Sequence, residues 1–317
     1  MNKLVTFGES MLRYSPPGNE RIETTETLDV RIAGAESNVA TAAARLGADA
    51  VWLSKLPDSP LGRRIVNFHR SVGLETEVVW SDSGRAGTYY IEFGGEPRGT
   101  NVIYDRADSA VTTATPEELP LSLIHDAEIF ETTGITPALS DTLAETTGTL
   151  LSEAQSANTT TVFDLNYRAK LWPPEEAAAT IRALLPSVDV FVTGEADAAI
   201  VLDRNDDPET LVRDLAADWD FEVVILTRGS WGAVAYASGE YFEQRAFETE
   251  TFDPIGTGDA FLGGYLARML EGGAVADCLE WGTAAAALKR TIPGDIAVIT
   301  RDEVTQVLSD ESVGIDR

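Results

Sequence analysis

The sequence predicts an α/β protein with a doubly wound, mostly parallel sheet flanked by helices and a small β lid over one edge. Short apolar runs suited to buried strands alternate with stretches of helical spacing, an order that produces parallel sheets covered on both faces. Two stretches depart from that order and alternate polar with apolar residues, as half-exposed strands do. The 317 residues can bury one large core, and no internal repeat or low-complexity linker divides them. A single domain over residues 1–317 is expected, with lid segments at about 10–33 and 85–108.

Leu4 to Phe7 is the first strand, followed by the alternating stretch Ile22 to Ile32. Ser37 to Leu46 is alanine-rich and reads as a helix whose residues mostly pack. Ala50 to Leu53 is the next strand and Leu61 to Val72 the helix after it. Thr88 to Tyr104 alternates again, and Gly94-Gly95 marks a turn within it. Glu128 to Phe130, Thr161 to Leu165, Val188 to Val192 and Val223 to Leu226 read as further buried strands. Leu143 to Ala154, Pro174 to Leu185, Glu209 to Trp219, 259 to 270 and Val275 to Leu288 carry helical spacing.

Composition narrows the function classes. Asp and Glu number 52 against 24 Lys and Arg, a formal charge of -28, and only Lys3, Lys55, Lys170 and Lys289 are lysines. Nucleic acid and anionic membrane are excluded as partners because both call for a basic face. The excess charge repels itself in dilute buffer, whereas at about 1 M salt the Debye length falls to about 3 Å, a pattern that suits a halophile. No charge-free stretch is long enough to span a bilayer, and the N-terminus reads as a strand without a signal core, so a cytoplasmic location is expected. Cys278 is the single cysteine; on its apolar helix it reads as a small packing residue. His69 and His125 have no companions suggesting a triad or zinc site.

Chemistry concentrates in Asp253-Pro-Ile-Gly256-Thr257-Gly258-Asp259-Ala-Phe-Leu-Gly-Gly264. If a helix begins here, the amides of Gly256, Thr257 and Gly258 face off its N-terminus, where orphan N–H groups and the dipole favour an anion such as phosphate. A carboxylate beside phosphate needs a task, and Asp259 can accept a proton from an attacking hydroxyl. The plainer reading is a strand-to-helix turn with Asp as its cap. No GxxxxGK[ST] occurs, and the spacing does not fit GxGxxG. Phe163-Asp-Leu-Asn166-Tyr-Arg168-Ala-Lys-Leu-Trp172 places Asn166 and Arg168 past the carboxyl end of a strand, where open α/β sheets bind ligands. Capping or a surface salt bridge is the alternative for that pair. Thr227-Arg-Gly229-Ser-Trp-Gly232 is by itself a routine turn after a strand.

These motifs together resemble the PfkB/ribokinase family of sugar kinases. The stretch from Asp253 is similar to the family's D-T-x-G-A-G-D-x-F signature, with Pro254 and Thr257 in place of Thr and Ala. Gly34-Ala-Glu-Ser-Asn38-Val-Ala40, followed by Gly47, resembles its N-terminal signature, in which glycine and asparagine face the sugar. Pro57-Asp58-Ser-Pro-Leu-Gly62 departs from the usual G-x-D-x-x-G. The resemblance runs from Phe7 to about Asp295 and implies a ribokinase-like fold with ATP and Mg²⁺ as cofactors.

It also implies roles. Asp259 would be the general base, with Gly256, Thr257 and Gly258 holding transferred charge. Gly34, Asn38, Tyr90, Tyr104, Arg106, Asn166, Arg168 and Asp295 would meet the sugar, and Asn166, Arg168, Thr227, Gly229, Gly232, Gly256 and Gly258 the nucleotide. No residue ligates metal directly; Asp197 would act through water, although the family's N-x-x-E element has become Gly194-Glu-Ala-Asp197. Tyr90 and Tyr104-Asp105-Arg106 resemble the arrangement of 2-keto-3-deoxygluconate kinases. There Arg106 and Arg168 would share the acid sugar's carboxylate, since the guanidinium fork matches that group. Lid packing for the tyrosines and a surface ion pair for Arg106 are the plain alternatives. The expected function is ATP-dependent phosphorylation of 2-keto-3-deoxygluconate by a homo-oligomer. A fructokinase-like enzyme and an inactive sugar-binding regulator are the competing readings.

Because unscreened charge opposes folding, the protein is expected to loosen below roughly 0.5 M salt and recover toward molar salt. Thermal melts in graded KCl check this, and a midpoint that does not move contradicts it.

Overall fold

Strand β1 (Lys3–Phe7) sends Leu4 and Thr6 to one face and Val5 and Phe7 to the other, all fully buried, so both faces of its sheet must be covered. The computed structural model describes residues 3–309; the ends of the expected 1–317 unit, residues 1–2 and 310–317, lie outside the described residues. Twelve more strands follow: β2 (Met11–Ser15), β3 (Asp29–Ala33), β4 (Asp49–Pro57), β5 (Glu75–Ser81), β6 (Thr88–Phe93), β7 (Thr100–Asp105), β8 (Ile129–Thr133), β9 (Thr160–Asp164), β10 (Val190–Gly194), β11 (Val223–Thr227), β12 (Ala233–Ala237) and β13 (Glu240–Gln244). The helices are α1 (Ala35–Arg45), α2 (Pro60–Ser71), α3 (Leu121–His125), α4 (Asp141–Ser156), α5 (Pro174–Leu184), α6 (Glu195–Leu202), α7 (Pro208–Trp219), α8 (Thr257–Leu270), α9 (Val275–Arg290) and α10 (Arg301–Leu308).

Nine strands form one sheet in the order β13-β12-β11-β10-β9-β8-β1-β4-β5, parallel except for the β11-β12-β13 edge. On one face Leu4, Trp52, Val162 and Ile225 pack with α1, α8 and α9; on the other Val5, Phe130, Phe163 and Phe191 pack with α4, α5 and α7. This is the expected doubly wound architecture. The second sheet, β3-β2-β6-β7, draws its strands from 10–33 and 85–108 and pairs β2 with β6 in parallel.

Some expectations change. The strand expected over Ile22 to Ile32 is confined to Asp29–Ala33, because the amides of Thr24 and Thr25 bond back to the Arg21 carbonyl in a turn. β2, β5 and the β12-β13 hairpin were not expected from periodicity. β2 is buried on both faces apart from half-buried Tyr14, so it lacks the alternation that marks a half-exposed strand.

Helices α1 and α8 approach through small residues. A Cβ on Gly263 would lie 2.6 Å from both the Ala42 Cβ and the Val39 carbonyl oxygen. That contact brings Asn38 of α1 against Asp259 in the first turn of α8.

Candidate active site

A cavity of about 460 Å³ opens at the carboxyl ends of β9, β10 and β11, between the N-terminus of α8 and the inner face of the small sheet. A second cavity, about 250 Å³ and more apolar, adjoins it; both are lined by Thr227, Thr257 and Gly258. The junction of the two is the start of α8.

Gly256 caps that helix with φ of 80°, a left-handed conformation that glycine adopts without penalty. A Cβ there would also lie 1.9 Å from the Asp295 carbonyl oxygen, so glycine is required twice over. At Gly258 a Cβ would meet no protein atom within 4 Å. Its absence keeps the helix mouth open to the cavities, and first-turn amides lack intrahelical acceptors. An anion fits there by both space and charge.

Asp259 is half-buried two residues into α8, and its Oδ2 accepts from Asn38 Nδ2 at 2.7 Å. Desolvation pushes its carboxyl up to about 7, against the lowering effect of Asn38 and Arg168. Below it lie further carboxyls. Asp164, at the end of β9, is pushed up to about 8 by burial and by Asp259 and Asp197. Glu131 is fully buried without a hydrogen-bond partner, and burial raises it well above the carboxylate range. Glu36 is raised by burial too, although Thr133 and Thr136 each donate to its Oε1 at 2.7 Å. Like charges in a shared dry site disfavour joint ionisation, so several of these groups hold protons near neutrality.

The other expected residues divide between the cavities. Gly34, Asn38, Tyr104, Arg106, Asn166, Arg168, Asp197 and Asp295 line the larger one, and Gly229 and Gly232 the smaller. Asn166 adopts φ of 37° past β9, and Asp197, in the first turn of α6, accepts the Tyr167 amide at 3.1 Å. Burial raises Asp197, opposed by that amide and by Arg168. No group of three or more His, Cys, Asp or Glu among the described residues forms a metal cage. A Mg²⁺ carried by phosphates and water needs only one or two carboxylates, and Asp164 and Asp197 fit that requirement.

Tyr90 is corrected. It does not line the cavity but stacks on Tyr14, ring centroids 5.3 Å apart, while Tyr89 lines it beside Tyr104. Successive residues on a strand face opposite ways, so the neighbouring tyrosine has the site face. Arg106 is buried and ion-paired with buried Glu9, which also lines the cavity, and lies 5.6 Å from the Tyr104 ring. Neither the surface pair nor a free cation describes it. Asp295 is engaged from within the protein by Arg13 Nη1 and the Tyr89 hydroxyl, both at 2.5 Å.

Sequence reasoning missed Glu9, Glu36, Glu131, Asp164, Tyr89 and Arg13. Two local signals were present: Asp164, a carboxylate inside the same post-strand string as Asn166 and Arg168, and Glu36, inside the string from Gly34 to Asn38.

The pfkB family carbohydrate kinase model matches residues 1–301. The 2-dehydro-3-deoxygalactonokinase of Haloferax volcanii is 58% identical over 315 residues, covering 99% of each chain. The 2-dehydro-3-deoxygluconokinase of Thermoproteus tenax is 31% identical over 93% of this chain and 90% of its own. The crystal structure of 2-dehydro-3-deoxygluconokinase from Thermotoga maritima superposes with a TM-score of 0.90 at 34% identity, covering 98% and 100% of the two chains.

The raised carboxyls carry a sign. Asp164 has a folded value near 8 and an unfolded value near 3.8, so its contribution to stability is present below the lower value and is lost as pH rises to the upper one. Asp164→Asn is expected to lose less stability than wild type between pH 5 and pH 8, read from urea melts at fixed salt. Parallel slopes contradict the assignment.

Proposed function

The chain belongs to the pfkB family of carbohydrate kinases, and on that footing we propose that it transfers the terminal phosphate of ATP to the 6-hydroxyl of a 2-keto-3-deoxy sugar acid. The observation that carries the reading is the meeting of a polar, arginine-bearing cavity with an apolar one at the open N-terminus of α8. The sugar acid occupies the first, the base and ribose the second, and the transferred phosphate their junction. Between the two C4 epimers, the Haloferax relative's 58% identity favours the galactonate, whereas the gluconate kinases stand at 31% and 34%. The gluconate, expected from sequence, is the second reading. Kinase family membership leaves no support for an inactive regulator.

Asp259 takes the hydroxyl proton as the sugar oxygen bonds to the γ-phosphorus and the bond to the β-phosphate oxygen breaks, releasing ADP. Asn38 fixes the carboxylate's direction, and the first-turn amides of α8 stabilise charge on the moving phosphoryl group. Mg²⁺ bound with the nucleotide would supply charge neutralisation, and Asp164 and Asp197 would hold it through water. Arg168 and Arg106 face the substrate carboxylate. Glu9 already balances Arg106, so the acid must share that guanidinium with Glu9. Protons held on the carboxyls below lower the negative charge it meets. The small sheet acts as a lid in a cytoplasmic enzyme.

Asp259→Asn is expected to bind both substrates and lose about 10² or more in turnover, the usual contribution of general-base assistance. Wild-type kcat/KM should rise with pH through a midpoint near 7, where Asp259 deprotonates. A variant with near-wild-type turnover removes Asp259 from the mechanism.

A coupled ADP-release assay in high KCl over both epimers and fructose tests the substrate. Arg106→Met should cut kcat/KM for the keto acid by about 30-fold or more, the range for a charged bond whose partner is left unpaired, with little effect on residual fructose activity. Equal losses on acid and neutral sugars, or a wild-type preference for fructose, defeat the acid-sugar reading.

A further inference from the structure

Arg13 sits in the middle of β2 and is one of the largest fully buried side chains, yet it does not line the cavity. Its guanidinium spans two loops outside the small sheet: Nη2 donates to Asp253 Oδ2 at 2.8 Å, and Nη1 donates to Asp295 Oδ1. Tyr89, beside it in register on β6, donates its hydroxyl to the other Asp295 oxygen. Burial alone would pull the guanidinium's pKa down, but the carboxylates of Asp295 and Asp253 outweigh it and keep the group charged.

Those two carboxylates are parts of the phosphate-binding turn and its support. Asp253 Oδ1 accepts the Ile255 amide at 3.1 Å and its Oδ2 accepts the Gly294 amide at 2.9 Å, which ties the two loops together. The Asp253 carbonyl accepts from the buried Lys289 ammonium, which also donates to the Ile292 carbonyl. One residue beyond Gly294, the Asp295 carbonyl packs on the face of Gly256 where no Cβ fits. Two carboxylates and two cations thus balance in a dry space. Without the fork, Asp253 and Asp295 would face each other with one cation fewer.

We propose that Arg13 is a positioning residue: from the small sheet its fork holds Asp253 and Asp295 together, and through them sets the turn Gly256 to Asp259 against the sugar. A buried ion network adds little net stability over apolar packing, so its value here is geometric. The inference rests on the proposed function for its catalytic meaning, but its structural part concerns the turn alone.

Arg13→Lys keeps the charge and loses the fork, and Tyr89→Phe removes one hydroxyl while keeping the ring. Amide hydrogen exchange in the unliganded protein is expected to accelerate about tenfold at the hydrogen-bonded amides within residues 255–260, among them those of Ile255 and Ala260, in both variants, with β10 and β11 unchanged. Turnover of Arg13→Lys should fall by about 10²-fold, as small misplacements of reacting groups cost, while the KM for the sugar stays within about threefold. If Arg13→Lys exchanges faster throughout the chain, Tyr89→Phe decides: acceleration confined to 255–260 upholds the inference and none overturns it. Unchanged exchange at the turn in both variants, or a Tyr89→Phe effect spread over β10 and β11, also overturns it. Exchange needs no sugar, so this result is independent of the substrate assignment.

Discussion

The close approach of the Asp295 backbone to Gly256 is the contact on which the site's geometry depends. It leaves 1.9 Å where a Cβ would stand, at the residue whose left-handed conformation turns the chain into α8. With the turn placed there, the helix mouth opens between the two cavities. Gly263 then lets α8 lie against α1, and Asn38 reaches Asp259. A larger side chain at either glycine would separate groups that act on one another across less than 3 Å.

Charge is sorted by depth in this chain. The formal charge is -28, yet Arg13, Arg106 and Lys289 are buried and each meets carboxylate or carbonyl oxygen from a different segment. Desolvation is costly for an unpaired ion, so cations are taken inside only where oxygen atoms converge. The carboxyls beneath Asp259 obey the same rule in another way: with no cation paired directly to them, burial shifts them toward the protonated form. Glu131, without any hydrogen-bond partner, is the extreme case.

In the proposed reaction, the Glu9–Arg106 pair would make substrate choice a matter of competition rather than simple attraction. A guanidinium already paired in a dry pocket offers its remaining donors to an incoming carboxylate, but it brings no net charge of its own. Arg168, which donates from Nη1 to the carbonyl of the neighbouring Tyr167, is the cation less committed within the protein. The same pocket would receive a neutral sugar without that electrostatic conflict, which is why acid and neutral substrates must be compared directly.

Local order was legible in the sequence because its causes are local. Apolar runs and helical spacing gave the doubly wound sheet, and the glycines, Asp259, Asn38, Asn166 and Arg168 stand out by residue type and by their place at strand or helix ends. Strands β2, β5 and β13 mix apolar with polar or charged residues without strict alternation, so neither an apolar run nor a period of two marks them. Which tyrosine faces the site depends on strand register, a one-residue matter that composition does not encode. Arg13, Glu9 and Tyr89 acquire meaning only from partners far away in the chain: Arg13 meets Asp295 across 282 positions and Tyr89 meets it across 206. The sequence by itself determined the sheet and helices and the glycine-rich turn that opens α8. Only the tertiary structure decided which buried charges are paired, because desolvation and pairing depend on what packs around a group rather than on its neighbours in sequence.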